Sequence, residues 1–182
     1  KTGKLVWEKG MQFEQRTPVF FSTYKEDTLI LLRSSTKSFD LRAIDAKSGK
    51  PIWAREHGWE NDNHGAHRRH PVIIGDVVYQ QPRAYDLKTG EEKWSTSKVG
   101  VGGNCGTLSA SSSMLFSRLS SYPGFIDLGQ GMNKENLVEI TRPGCWINII
   151  PVGGMVLVPE AGSGCSCKYS IHASMGFLPK KD

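Results

Sequence analysis

The sequence has no long uninterrupted apolar run and no sustained helical periodicity. Its longest apolar stretch, residues 147–158, is broken by Asn148, Pro151 and a glycine pair, and it is far shorter than the roughly 20 residues that a membrane-spanning helix needs. The first four residues also lack the apolar segment of a signal peptide. We therefore predict no transmembrane segment, and we expect that any targeting segment was removed or lies upstream of residue 1.

A concentration of charge of one sign is also absent. The 182 residues include 23 Lys and Arg against 18 Asp and Glu, a net charge of +5, and the basic residues are scattered. No basic stripe interleaved with aromatic residues is present, so we expect no nucleic-acid binding. With 38% hydrophobic residues, 20 Gly and 9 Pro, the composition is that of a globular chain, and its length is enough to bury a core.

A segment of about twelve residues recurs at a spacing of 41. Residues 42–53 (RAIDAKSGKPIW) match residues 83–94 (RAYDLKTGEEKW), and residues 125–131 (FIDLGQG) continue the spacing without the tryptophan. Residues 2–7 (TGKLVW) resemble the end of a further copy. Internal repeats of this length indicate that one supersecondary unit is stacked several times.

Each copy has the residues of a β-hairpin. The Asp carboxylate can accept hydrogen bonds from the turn N–H groups, and the Gly can take the positive φ of a tight turn. A large aromatic residue at a fixed offset predicts docking against the neighbouring sheet, because one repeat cannot bury its apolar face alone. We therefore assign this structural role to Trp7, Trp53 and Trp94.

Strand patterns around these hairpins predict about four short strands per repeat. The clearest unit has strands at 71–74, 77–81, 83–86 and 92–95; the next has 107–111, 114–118 and 124–128; the last has 145–150, 155–159 and 168–177. Four short strands at a period near 40 are the signature of a β-propeller blade. The predicted fold is an all-β propeller of four-stranded antiparallel blades, with about four blades in this chain.

The Asp-x-x-Ser/Thr-Gly-x-x-x-Trp hairpins resemble those of PQQ-like (quinoprotein alcohol dehydrogenase-like) propellers, and residues 142–167 resemble the C-terminal ends of such repeat proteins in planctomycetes and other environmental bacteria. This resemblance implies rings of seven or eight blades. We expect a single propeller domain over 1–182 or the C-terminal part of one, with a blade remnant at 1–10 and blades near 17–56, 68–97, 104–140 and 143–179. The chain is then a piece of a larger ring, or residues 4–9 complete the last blade.

In such blades the loop before the first strand and the loop joining the second and third strands emerge at the same end. His64, Cys105 and Cys145 precede successive first strands at spacings of 41 and 40, so we expect them to converge there with the loop of Cys165 and Cys167. The predicted ligand-binding face consists of His64, His67, Arg68, His70, Arg83, Trp146 and Glu160.

Three kinds of chemistry are open at this face. Imidazole and thiolate ligands suit zinc or copper, and the candidate ligands are His64, His67, His70, Cys105, Cys145, Cys165 and Cys167. The same four cysteines could instead form two disulfides, of unknown pairing, in an oxidising compartment. A histidine could also act as a base on a carbohydrate, with Arg68, Arg69 or Arg83 neutralising a carboxylate and Tyr79 or Tyr122 donating a proton.

The resemblance also raises the question of PQQ. The enzymatic relatives stack the quinone on a tryptophan beneath two adjacent cysteines, whereas here Cys165 and Cys167 are separated by one residue. We therefore expect no resident cofactor. Copper or zinc is the first alternative, and PQQ is less favoured than either metal.

These observations favour an exported binding or scaffolding propeller, periplasmic or extracellular, with no assigned catalytic residue. Its expected partners are missing blades or another chain, and a carbohydrate or small polar ligand. The alternatives are an oxidoreductase, quinoprotein-like or dependent on copper or zinc, and a polysaccharide-acting enzyme.

Overall fold

The protein is all-β, as predicted. The computed structural model describes residues 2–10, 19–34, 38–58, 69–81, 83–95, 106–119, 122–144, 149–160 and 171–180. Fifteen strands lie within these ranges, and none of the described residues forms a helix long and apolar enough to cross a membrane. The strands form four sheets, one after another along the chain.

Each sheet is an antiparallel meander whose strands pair in chain order. Three sheets have four strands and the last has three. Sheet 1 contains β1 (Val19–Lys25), β2 (Thr28–Ser34), β3 (Ser38–Asp45) and β4 (Pro51–Gly58). Sheet 2 contains β5 (Val72–Ile74), β6 (Val77–Gln80), β7 (Arg83–Asp86) and β8 (Glu92–Ser95). Sheet 3 contains β9 (Ser109–Ala110), β10 (Met114–Leu119), β11 (Tyr122–Asp127) and β12 (Asn133–Asn136). Sheet 4 contains β13 (Ile150–Val152), β14 (Met155–Val158) and β15 (Met175–Phe177).

The repeated hairpins have the predicted turn chemistry. The Asp86 carboxylate accepts hydrogen bonds from the N–H groups of Lys88 and Thr89 at 3.0 and 2.9 Å. Asp45 and Asp127 accept equivalent bonds in their own turns. The bond from the Thr89 N–H group is the largest of the effects that hold the pKa of Asp86 at about 2, below its usual 3.8. The motif aspartate therefore stabilises the turn in its ionised form.

Successive sheets pack face to face in chain order. One core lies between sheets 1 and 2 around Leu32, Phe39 and Val78, a second between sheets 2 and 3 around Tyr79 and Leu115, and a third between sheets 3 and 4. The first strands also contact one another in the order β1–β5, β5–β9 and β9–β13. Meander sheets that pack this way around a common axis form a β-propeller.

Strand bounds differ from the predictions mainly in the last two sheets. β7 and β8 coincide with the predicted 83–86 and 92–95. The strand β12 was not predicted, because its sequence NKEN is polar and exposed throughout and has no alternation of apolar residues. In sheet 4, β13 begins at Ile150, whereas the sequence predicted a strand over 145–150, of which residues 145–148 lie outside the described ranges. Residues 4–9 form no strand.

Candidate functional site

The two ends of the sheets differ in character. In three sheets a backbone hydrogen bond ties the turn after the third strand to the turn after the first: Ala46 N–H to Asp27, Leu87 N–H to Asp76 and Leu128 N–H to Ser113, at 2.7, 2.8 and 3.0 Å. These turns close one end of the molecule. The segments that lead into the first strands and those that join the second and third strands therefore lie at the other end, called the mouth end below.

His70 occupies the mouth end at the axis. It directly precedes the segment leading into β5, and its half-buried ring lies edge-on to Phe21 of β1 with centroids 5.6 Å apart. Beside it a cavity of about 480 Å³ opens between the first strands of sheets 1, 2 and 3. The hydroxyl-bearing Ser22 and Thr23 line this cavity together with His70. Of the predicted ligand-binding face, His70 is the residue that the structure places at a cavity.

Polar side chains are buried at this end in unusual number. They belong to the segments leading into first strands or to the last residues of second strands, and their exposed fractions are 5% or less: Arg69, Gln80, Gln81, Thr107, Ser117, Arg118, Thr141 and Arg142. Three of them are guanidinium groups, and no Asp or Glu is buried among the described residues. Burying a polar group costs free energy unless the group is hydrogen-bonded. The stability of this layer therefore depends on the hydrogen bonds that its members form.

Two glutamines of this layer have polar atoms without a partner among the described residues. Gln80 donates from its Nε2 atom to the carbonyl oxygen of Arg69 at 3.3 Å, while its Oε1 atom is buried without a donor. The Nε2 atom of the adjacent Gln81 is likewise buried without an acceptor. Both atoms are fully buried, so each is an unsatisfied polar atom inside the described structure.

The other described members of the predicted face already have ionic partners. The Arg83 guanidinium donates to the Glu92 carboxylate at 2.6 Å. Glu160 lies 3.8 Å from His172, and its N–H group donates to the Ser174 hydroxyl at 3.0 Å. Tyr79 is in the core between sheets 2 and 3, where burial raises the pKa of its hydroxyl. These side chains have structural contacts that account for their positions.

The remaining predictions for this end lie outside the described residues. They concern His64, His67, Arg68, Trp146 and the four cysteines Cys105, Cys145, Cys165 and Cys167. The described part of the chain contains no group of three or more His, Cys, Asp or Glu that could hold a metal ion. The metal and disulfide hypotheses therefore stay predictions.

Of the described tryptophans, Trp53 and Trp94 lie between sheets and Trp7 lies against sheet 1. The Trp53 indole N–H donates to the Leu87 carbonyl at 2.9 Å, and its ring covers Gly90 so closely that a β-carbon there would be 2.6 Å from the ring. Trp7 makes the same pair of contacts with Ala46, at 2.8 Å, and with Gly49. Trp94 packs with Tyr79, ring centroids 5.7 Å apart. In the first two hairpins, Gly49 and Gly90 thus leave room for the approaching indole.

This placement bears on the quinone hypothesis. A quinone floor needs a tryptophan face open to the axis, but the described tryptophans are occupied in contacts between sheets. Trp146 and the Cys165–Cys167 segment are outside the described residues. The described tryptophans therefore do not provide a floor for PQQ.

Sequence reasoning missed several residues of the mouth end. Arg118, Arg142, Gln80 and Gln81 were not singled out, although polar residues that end a second strand at equivalent places in two repeats are a signal that could have found them. His57 was also missed: it is 6% exposed and lies between Phe39 and Tyr85, with ring centroids 5.3 and 6.0 Å away. It follows Trp53 by four residues on the same face of β4, which is the pattern that would have placed it in the core.

Comparison with known proteins shows only limited similarity in sequence and structure. No protein-family model matches the chain, and no curated protein matches it. Among solved structures, BamB from Moraxella catarrhalis is 13% identical over 87% of this chain and 61% of its own, with a TM-score of 0.41. Hsv2 from Kluyveromyces lactis is 11% identical over 81% of this chain and 46% of its own, also with a TM-score of 0.41. The chain thus spans about half the length of these structures, and the propeller assignment rests on its own sheet packing.

Proposed function

We propose that this β-propeller is a binding domain for a small polar ligand, carbohydrate-like in class, and that the ligand enters the axial cavity beside His70. The observation that carries the proposal is that cavity, about 480 Å³ in volume and lined by Ser22, Thr23 and His70. Its size is within the range typical of small-molecule sites. Binding at such a place needs no catalytic group, and no described residue is assigned one.

The polar side chains that line the cavity support a hydrogen-bonding ligand. Arg69 directly precedes His70 and is held by Gln80 through its carbonyl oxygen. The hydroxyl groups of Ser22 and Thr23 can donate and accept the hydrogen bonds that sugar hydroxyl and carboxylate groups form. The aromatic ring of Phe21 supplies an apolar wall at the same place.

The test is a titration with sodium glucuronate, and with glucose as its uncharged counterpart, followed by NMR. We expect shifts confined to the signals of residues 21–23 and 70–73, and His70→Ala should weaken binding by about tenfold, as expected for the loss of one polar contact. Lys88→Ala is the matched control, since Lys88 is exposed in a turn at the opposite end. Binding that is unaffected by His70→Ala, or no shift with either sugar, would contradict the proposal.

We further propose that the protein works outside the cytoplasm, in the periplasm or beyond the cell. Four cysteines in loops predicted to share one end support this, since disulfides persist in oxidising compartments. Thiol labelling of denatured protein from its native source tests it: two disulfides leave no thiol to label, whereas four labelled thiols would argue against export.

A further inference from the structure

Within the described residues, sheet 4 has three strands, whereas each of the other sheets has four. Its strands β13, β14 and β15 pair in order, and β15 is its outer edge. An exposed edge presents unpaired backbone N–H and C=O groups, which are a template for a further strand. Sheet 4 is therefore ready to accept one extended segment beside Met175–Phe177.

An apolar groove lies next to this edge. It has a volume of about 470 Å³, runs between sheets 3 and 4, and includes Phe125, Leu137, Phe177 and Leu178 in its lining. The repeat explains why it is open. Trp53 and Trp94 stand opposite Ala43 and Ala84 in their sheets, whereas in sheet 3 the corresponding pair is Glu135 opposite Phe125.

Residues 2–10 have the contacts of a fourth strand without the pairing of one. The Trp7 N–H donates to Ala46 and Lys9 Nζ donates to the Gly49 carbonyl at 3.4 Å. In β4, Trp53 and Arg55 make the corresponding bonds to Leu87 and Gly90 of the next sheet. The segment therefore docks on sheet 1 as β4 docks on sheet 2, although it pairs with no described strand. Its Leu5 and Val6 are 70% and 77% exposed.

The outer faces of the row of sheets are also uncovered. Phe20 and Tyr24 project from β1 away from sheet 2 and are 48% and 58% exposed. In sheet 4, Ile150 of β13 is 45% exposed and follows Ile149, which packs in the core with sheet 3. Among the described strands, no contact comparable to β1–β5, β5–β9 and β9–β13 joins β13 back to β1. The described residues of one copy therefore do not cover these two outer faces.

We propose that a second copy of this chain covers them: residues 2–10 of each copy add to the β15 edge of the other as its fourth strand. Trp7 stays docked on its own sheet 1, as Trp53 of sheet 1 is docked on sheet 2. Sheet 4 of one copy would therefore pack against sheet 1 of the other in the way that successive sheets pack within one copy. Neighbouring residues of a strand point to opposite faces, so Val6 is directed away from sheet 1 and over the apolar groove. Two copies then exchange identical segments across a two-fold axis, and four sheets from each complete one ring.

The first measurement is the mass of the 182-residue chain in solution across a dilution series, by light scattering. We expect a dimer of twice the chain mass of 20.2 kDa. Val6→Asp should raise the dissociation constant at least about a hundredfold, because a carboxylate would be buried twice per dimer. The matched control is Lys88→Asp: Lys88 is exposed in the turn between β7 and β8 of sheet 2, which packs against sheets 1 and 3 of its own copy.

Hydrogen exchange of the unsubstituted protein keeps the test independent of how a variant folds. The backbone amides of residues 175–177 that point away from β14 should be protected at high concentration and should lose protection on dilution together with the dimer mass. A monomer at every concentration, or a dimer in which these amides exchange freely, would overturn the proposal. So would a dimer that Val6→Asp and Lys88→Asp weaken equally.

Discussion

The contact between Trp53 and Gly90 provides the sharpest test of how the sheets are joined. Gly90 has a φ of +68°, and a β-carbon at this position would lie 2.6 and 2.7 Å from two carbons of the Trp53 ring. The ring is 8% exposed, and its N–H is bonded to the Leu87 carbonyl. It therefore cannot move aside without losing buried contacts and a hydrogen bond.

Gly90→Ala should lower the free energy of unfolding through two separable effects. The left-handed backbone conformation costs a non-glycine residue about 1–2 kcal/mol, and forcing a methyl group into a packed core costs about 1–3 kcal/mol more. Gly131 is the matched control, because its φ is +69° and a β-carbon there would meet nothing within 4 Å. Gly131→Ala should therefore lose about 1–2 kcal/mol and Gly90→Ala about 2–5 kcal/mol.

Urea denaturation followed by tryptophan fluorescence measures both variants under one set of conditions. Gly49→Ala extends the series: its β-carbon would lie 2.8 Å from the Trp7 ring, but that ring is only half-buried and can yield. The expected order of destabilisation is Gly131, then Gly49, then Gly90. Equal losses at Gly90 and Gly131 would show that the indole does not press on the hairpin, and the account of sheet docking would be wrong.

Two further predictions concern the same hairpins. Trp53→Phe keeps an aromatic ring but leaves the Leu87 carbonyl without its donor. The free energy of unfolding, measured by thermal or urea denaturation, should fall by about 1–3 kcal/mol. An unchanged free energy of unfolding would show that this hydrogen bond does not stabilise the fold. The pKa of Asp86, held at about 2 against 3.8, means that the unfolded chain binds more protons between pH 4 and 2. The free energy of unfolding should therefore fall as the pH is lowered through that window and should not change from this cause above it. Asp86→Asn should flatten the acid dependence measured by urea titration, and an acid dependence identical in both proteins would count against the assignment.

The architecture was largely predictable because its signals are local. A turn needs an acceptor for its N–H groups and a residue that tolerates positive φ, and Asp86 and Gly90 provide them within five residues. Their recurrence at a spacing of 41 predicted the stacked sheets and placed β7 and β8 correctly. Local chemistry of this kind is written in consecutive residues, so a single sequence is sufficient to find it.

The site was less predictable because it depends on residues that are distant in sequence. Histidine and cysteine spacing drew attention to the mouth end, and His70 does lie at the axial cavity there. The buried Arg118 and Arg142 carried no motif, since an arginine in a strand pattern is normally exposed. Arg83 looked available for a ligand, but Glu92 reaches it across two paired strands.

The sequence by itself determined the class, the period and the chemistry of each hairpin, because these depend on backbone conformations that neighbouring residues enforce. Only the tertiary structure decided how one sheet meets the next. In sheet 3, Glu135 stands where the first two sheets have Trp, and Phe125 stands where they have Ala; both differences are visible in the sequence. Their consequence, an open groove beside a three-stranded sheet, can be recognised only when it is known which faces pack together. Packing is a property of surfaces brought together by the whole chain, so the cavity beside His70 and the uncovered edge of β15 emerge only when the sheets are assembled.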